Sequence, residues 1–170
     1  MRGDVRAKNL ELDLEQTLDI IRGAEHGVLA TVSADGVPAA VALNHVYSDG
    51  VLYFHCGHEG EKLDNIRANP QVSFFVVGQA DVHYDQFTES YTSAVVNGRI
   101  EIVVDEAERL QALRALTYRY ASHLIPTQTI EQFTAEKLST VEILKLTPET
   151  ITGKARPRRH RPGLEYTPIL

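Results

Sequence analysis

Residues 52–77 (LYFHCGHEGEKLDNIRANPQVSFFVV) constrain the chain more than any other stretch. Residues 51–54 are apolar and β-prone, and Gly57 and Gly60 flank a polar turn. Leu63 and Ile66 stand three apart, which gives a short helix one apolar face. Asn69-Pro70 stops that helix, because the residue before a proline is pushed out of the α region. Residues 72–77 are then a near-continuous apolar run of strand type. The order is strand, glycine-containing turn, short helix, strand. Such a turn aims backbone N–H groups and a helix N-terminus at one spot, with Lys62 in the first turn. A phosphate suits that spot. The free N–H groups donate, the helix dipole favours an anion, and the ammonium adds a full charge.

Around this segment the pattern is mostly β. Residues 10–25 carry Leu14, Leu18 and Ile21 on one face and predict an amphipathic helix. Residues 28–33, 38–47 and 51–55 read as three antiparallel strands in meander order, turning at 34–36 (ADG) and 48–50 (SDG). Pro38 falls at a strand start, where its missing N–H is tolerated. Residues 78–90 are polar and lack periodicity, which predicts a loop. Residues 91–104 predict a long strand bent at Gly98. Asp105 is placed to cap helix 106–121, with Glu108 positioned to close a capping box. Leu110, Leu113, Leu116, Thr117 and Tyr120 form that helix's buried stripe, and Ile125-Pro126 breaks it. A short helix over 130–138 and strands over 140–146 and 150–153 follow. The fold class is mainly β, a small barrel of about six strands with peripheral helices.

The chain of 170 residues is most simply one domain, here 1–153, followed by a basic tail, 154–170. Apolar content of 43% and charged content of 24% are those of an ordinary globular protein. No apolar run approaches the roughly 20 residues of a membrane helix, and the N-terminus lacks the apolar region of a secretory signal. The single cysteine, Cys56, cannot form an internal disulfide, so a cytoplasmic location is expected. The net charge of −6 is uneven. Lys154, Arg156, Arg158, Arg159 and Arg161 stand against Glu165 in the tail, a net +4, leaving −10 on the remainder. An acidic body argues against general nucleic-acid binding. An Arg-rich tail of this kind is more often solvated, or folded over an acidic neighbouring subunit, than used as a nucleic-acid arm.

Five pieces in order carry a resemblance: residues 41–47 (VALNHVY), 52–55 (LYFH), 59–64 (EGEKLD) with Asn69-Pro70, 91–99 (YTSAVVNGR) and 151–154 (ITGK). In order and spacing, over about residues 20–154, the chain resembles the FMN-binding split-barrel proteins of the pyridoxamine 5′-phosphate oxidase-like superfamily. Within it the chain is most similar to the 5-nitroimidazole-resistance type of flavoprotein. The resemblance implies a homodimer with FMN in each of two interface clefts. It implies Lys62 on the phosphate together with the turn at Cys56 and Gly57. It places Ala42, Leu43 and Asn44 on a strand along the flavin edge, and it brings Thr92 and Ser93 from the partner subunit. Two departures stand out. Glu61 occupies the place where many relatives carry a second cation. The strand at 41–47 lacks the arginine or lysine of the oxidase branch, which counts against pyridoxamine 5′-phosphate oxidation.

The residues themselves leave alternatives. By type alone Lys62 reads more readily as a solvated helix lysine, and the phosphate reading comes from the resemblance; Asn44 and His45 can simply start the turn at Ser48, and Thr92 is equally an ordinary strand start. His55 reads either as a barrel-rim histidine or, by the resemblance, as the catalytic residue beside the flavin, donating a hydrogen bond or moving a proton. His55-Cys56-Gly57-His58 tempts a zinc reading, but a closed site needs four ligands and no second cysteine exists, so no metal is expected. No nucleophile elbow, Walker loop or dinucleotide fingerprint is present. The expected activity is flavin-dependent reduction of a small electrophile such as a nitroaromatic, with NAD(P)H as a possible donor bound only transiently. The rivals are a non-enzymatic flavin protein, a haem protein ligated through His55, His58 or His160, and a deazaflavin protein on the same barrel.

Overall fold

A computed structural model describes residues 5–84, 87–123 and 126–157. Its eight strands form one antiparallel sheet in the order β3-β2-β6-β7-β8-β5-β4, with β1 added against β8. The strands are β1 (Glu11–Leu12), β2 (His26–Val32), β3 (Pro38–Asn44), β4 (Val46–Ser48), β5 (Val51–Cys56), β6 (Gln71–His83), β7 (Thr88–Ile102) and β8 (Glu142–Arg156). The helices are α1 (Leu14–Gly23), α2 (Glu61–Ala68), α3 (Glu106–Ala121) and α4 (Thr127–Lys137). The expected barrel with peripheral helices is what forms. The sheet curls until β3 comes near β5, yet among the described residues β3 pairs only with β2. That gap is the split in the barrel.

The expected meander of three strands does not form. The 38–47 segment breaks at His45 into β3 and β4, and the two pieces lie at opposite ends of the sheet. His45 is fully buried at this bend, with its ring 5.0 Å from the Phe74 ring. Burying one side chain of an edge segment inside the barrel turns the chain out of the β2–β3 plane.

Four other boundaries differ from the sequence pattern. Helix α1 starts at Leu14 rather than residue 10, because Asp13 and Gln16 close a capping box in front of it. Residues 11–12 instead pair with Gly153 and Lys154. The polar segment 78–90 is strand on both sides rather than loop: β6 and β7 stay paired out to His83↔Thr88 after a register shift at Val77/Gln79. Residues 78–82 are exposed on both faces of the ribbon, so no apolar alternation was needed there. Residues 142–156 are one strand rather than two, since the irregularity at Asn97/Gly98 lets Pro148 sit opposite Gly98 without breaking the ladder. That strand takes up Lys154, Ala155 and Arg156 from the tail. His160, the tail arginines at 158, 159 and 161, and Ile125 lie outside the described residues.

The main core fills the barrel with Leu29, Leu52, Phe54, Phe74, Val76, Val96, Leu144 and Leu146, roofed by Leu18 and Ile21 of α1 and by Leu63 and Ile66 of α2. Phe54 and Phe74 meet edge-to-face at 4.9 Å between ring centres. A smaller cluster of Val103, Ala112, Leu113 and Ile143 seats α3 on the barrel wall. Asp105 caps α3 as expected, its side chain accepting from Glu108 N at 2.8 Å. The capping box is not closed: the Glu108 carboxylate accepts instead from Tyr53 Oη (2.7 Å) and Lys145 Nζ (2.8 Å). Of the expected α3 stripe, Leu113, Leu116 and Thr117 are buried, while Leu110 and Tyr120 are half-buried.

Candidate functional site

Helix α2 positions Lys62. Its N-cap is Gly60, with φ 131°, a left-handed conformation that favours glycine. Gly60 therefore carries the turn's conformational demand. At Gly57 no other group crowds the place a Cβ would take. Leu63, Asn65 and Ile66 point inward, and Asn65 Nδ2 donates to Thr31 Oγ1 at 3.0 Å, which ties α2 to β2. The opposite side of the helix leaves Lys62 half-buried over a cleft of about 250 Å³ lined by Thr31, Ala39, Ala40, Val41 and Glu61. Arg67, in the last turn, is paired with Asp64 at 3.1 Å, and among the described residues Lys62 has no carboxylate partner. Lys62 is thus the cation of this cleft without a salt-bridge partner, with the Glu61 carboxylate also on its rim.

His55 opens on a second cleft. On β5, Phe54 and Cys56 face the core, so His55 faces out. It lines a cleft of about 420 Å³ between the barrel wall and helices α3 and α4, shared with Asn44, Leu113, Leu116, Tyr120 and Phe133. His55 is exposed by surface area, but the protein around it still desolvates the ring enough to push its imidazole below its ordinary value. It is neutral at pH 7 and offers one N–H and one lone pair. Cys56 points away into the core. Burial pushes its thiol up, with the Lys62 ammonium opposing, so any contact it makes with a ligand in either cleft is through its backbone.

Strand β3 runs between the two clefts. Ala39–Val41 line the Lys62 cleft and Asn44 lines the His55 cleft. Ala42 is exposed and Leu43 half-buried against the core. Because β3 lacks a second strand partner, its outer edge carries unpaired N–H and C=O groups. Asn44 Nδ2 donates to Glu25 O at 2.8 Å. The end of α3 clamps the same corner. Arg119 Nη2 donates to Ala24 O (2.6 Å), and the Tyr120 hydroxyl accepts from His45 N (3.2 Å) while lying 2.7 Å from the carbonyls of Glu25 and His45.

Thr92 and Ser93 stand apart from both clefts. Thr92 Oγ1 accepts from Gln79 N at 3.1 Å and borders a third cleft, with Tyr91 and Arg156. Ser93 is buried. Within one chain they do not join Lys62 or His55. His58 diverges from His55 altogether: its Nδ1 lies 2.9 Å from Glu142 Oε1 and its Nε2 3.1 Å from Ser139 O. Among the described residues, no group of three His, Cys, Asp or Glu side chains converges as metal ligands would. The sequence reading missed Thr31, Ala39 and Ala40 beside Lys62, and Phe133, Lys137 and Val141 beside His55. The first three are small residues on strands, whose only signal is that they leave space. The last three are far from His55 in sequence, and nothing local announces the α3–α4 cover.

A family model described as pyridoxamine 5′-phosphate oxidase matches residues 13–155, most of the chain. The chain belongs to this family. Solved structures show the same fold. A proposed 5-nitroimidazole antibiotic resistance protein from Bacteroides thetaiotaomicron is 23% identical over 86% of each chain, with a TM-score of 0.71. A conserved hypothetical protein from Mycobacterium tuberculosis is 18% identical over 95% of this chain and 98% of its own, with a TM-score of 0.74. An FAD- and haem-binding protein from Mycobacterium smegmatis is 23% identical over 84% of this chain and 71% of its own, with a TM-score of 0.69. Comparison with curated proteins finds no match. Among the described residues, no helix is long and apolar enough to cross a membrane.

Proposed function

We propose that this member of the pyridoxamine 5′-phosphate oxidase family binds FMN along the outer edge of β3 and uses it to reduce a small electrophile such as a nitroaromatic. The observation that carries the reading is the pair of clefts on one strand edge. An unpaired cation, Lys62, stands at one cleft and a neutral imidazole, His55, at the other, with residues 42–44 between them. Lys62 and the N-terminal N–H groups of α2 fit a phosphate. The free backbone groups of β3 fit the polar edge of a planar ring. Bound flavin would supply the electron chemistry. His55 would orient it by a hydrogen bond or hold a proton for the acceptor. The absence of a cation on β3 argues against pyridoxamine 5′-phosphate as substrate.

The site is completed in this reading by a second copy. The outward face of the β3-β2-β6 layer carries Ala42, Val28 (38% exposed), Phe75 (41%) and Val77 (46%), and Ala42, Val28 and Phe75 are register neighbours. An apolar row of this kind suits a homodimer interface. It would bring the partner's β7 to the clefts that Thr92 and Ser93 do not reach in their own chain.

Haem is the second reading, favoured by the M. smegmatis relative and by an outward-facing His55. One experiment separates them. The purified protein is titrated with FMN, FAD and haemin, and each absorption spectrum is followed. Saturable flavin binding with no Soret shift supports the flavin reading; a Soret shift abolished by His55→Ala replaces it. Mass spectrometry of released cofactor tests deazaflavin. In anaerobic reoxidation of the reduced flavoprotein, nitroimidazole or quinone should reoxidise faster than buffer, and less so after His55→Ala. Reoxidation at the buffer rate for every acceptor would leave a non-enzymatic flavoprotein.

A further inference from the structure

We infer that the cleft between α3, α4 and the barrel is a binding site for a small aromatic carboxylate. Its volume of about 420 Å³ falls in the range of small-ligand sites. Leu113, Leu116 and Phe133 supply apolar walls from both helices, and Val141 supplies one from the segment just before β8.

The polar groups decide the ligand's charge, because most of them are already engaged inside the protein. Asn44 Nδ2 is held by Glu25 O, and Thr117 Oγ1 donates to Leu113 O at 2.8 Å. Thr140 Oγ1 donates to Lys137 O at 2.8 Å, and the Tyr120 hydroxyl is taken by the bend at His45. Two lining side chains make no hydrogen bond to another described group, the His55 imidazole and the Lys137 ammonium, while Asn44 keeps only its Oδ1 acceptor free. Lys137 Nζ sits 5.8 Å above the Phe133 ring and has no carboxylate partner among the described residues. None of the lining residues is acidic, in a chain with 23 Asp and Glu. An apolar slot with one free cation and one neutral hydrogen-bond donor recognises a flat apolar body bearing one negative charge. Burial holds the imidazole neutral, so it can donate to a carboxylate oxygen without adding a second charge. The rival explanation is that Lys137 only complements the carbonyl end of α4, where it occupies the last turn.

Binding as such does not depend on the flavin; the further step, that this carboxylate is the electron acceptor, rests on the proposed function. The probe is benzoate, with benzamide as neutral isostere, each titrated into the full chain with and without FMN by heteronuclear NMR. Benzoate should shift amides of α3, α4 and β5 saturably and bind about tenfold or more tightly than benzamide. Lys137→Met should remove that preference while leaving benzamide unchanged, and Lys137→Arg should restore it. Ala121→Phe, a half-buried cleft residue, should block both probes and keep FMN binding. Equal binding of the two probes, an unaltered preference in Lys137→Met, or shifts away from the cleft would overturn the site. So would loss of FMN in Ala121→Phe, which would make the cleft the cofactor's own. Benzoate binding without any flavin binding would sink the flavin reading and leave this site standing.

Discussion

His45 donates from Nε2 to the Ile21 carbonyl oxygen at 2.7 Å, joining the β3–β4 bend to the last turn of α1. A carbonyl can only accept, so the proton sits on Nε2, and Nδ1 is left buried without a partner among the described residues. Burial pushes the imidazole down to about 4, with the Arg119 and His26 charges adding to the effect. The folded pKa therefore lies below the unfolded value of about 6.5. The unfolded chain binds the proton first as pH falls, so stability drops from about pH 6.5 down to about pH 4. The full window is worth about 3 kcal/mol. Urea midpoints at pH 7.5 and pH 4.5 should differ accordingly, and His45→Gln should flatten much of the difference. An equal slope in the variant would clear His45 of the role.

His58 should behave in the opposite sense. Its hydrogen bonds to Glu142 and to Ser139 O raise its pKa, so the contact is fully present below about pH 6.5 and lost as pH rises through the higher folded value. NMR titration should give His58 a midpoint above that of free histidine. Glu142→Gln should lower it, because Glu142 is the largest cause. The loop at 57–60 should loosen over the same interval, visible as faster amide exchange.

Gly153 lies directly over Thr17. A Cβ built on it would come 2.1 Å from Thr17 Oγ1, and that hydroxyl is fixed by its 2.7 Å bond to Asp13 O. Gly153→Ala should destabilise by about 1–3 kcal/mol, the usual cost of overpacking. Adding Thr17→Ala should recover part of the loss. Full additivity in the double mutant would show that the two sites do not clash.

Lys62→Ala should weaken FMN binding by about 1.5–3 kcal/mol, the range for hydrogen bonds to a charged group. The melting temperature of the apoprotein should barely move, since Lys62 is only half-buried and among the described residues pairs with no carboxylate. Unchanged FMN affinity in fluorescence titration would remove Lys62 from the phosphate site.

Light scattering should give a particle of twice 18.9 kDa. Phe75→Asp, on the exposed side of β6, should halve the mass without unfolding the barrel. A monomeric wild type that still holds FMN would refute the dimer.

What was legible in the chain divides by the range of the physics involved. Gly60, Leu63, Ile66 and Asn69-Pro70 define α2 within ten residues, so turn, helix and stop could be read directly. Asp105 and the stripe at Leu113, Leu116 and Thr117 placed α3 for the same reason. The break at His45 could not be read, because its cause, a ring packed on Phe74, lies twenty-nine positions away. The β6–β7 extension escaped because its stability comes from backbone pairing, which leaves no mark on side-chain type. Lys62 and His55 were identifiable as residues. That they stand at opposite ends of one free strand edge, with Lys137 beside the second, follows only from the sheet order.

Strand β8 pairs with β1, β5 and β7, linking residue 11 to residue 154 and residue 52 to residue 146. Its ladder is the seam along which both halves of the barrel are sewn. During synthesis, β2, β3, β6 and β7 can pair as they emerge, whereas β5 must wait with its apolar side uncovered until some ninety further residues have been added. The vulnerable interval for this protein is therefore the time a ribosome takes to reach that seam, and a stalled chain lacking it would present β5 and β7 as sticky edges to chaperones and to other nascent copies.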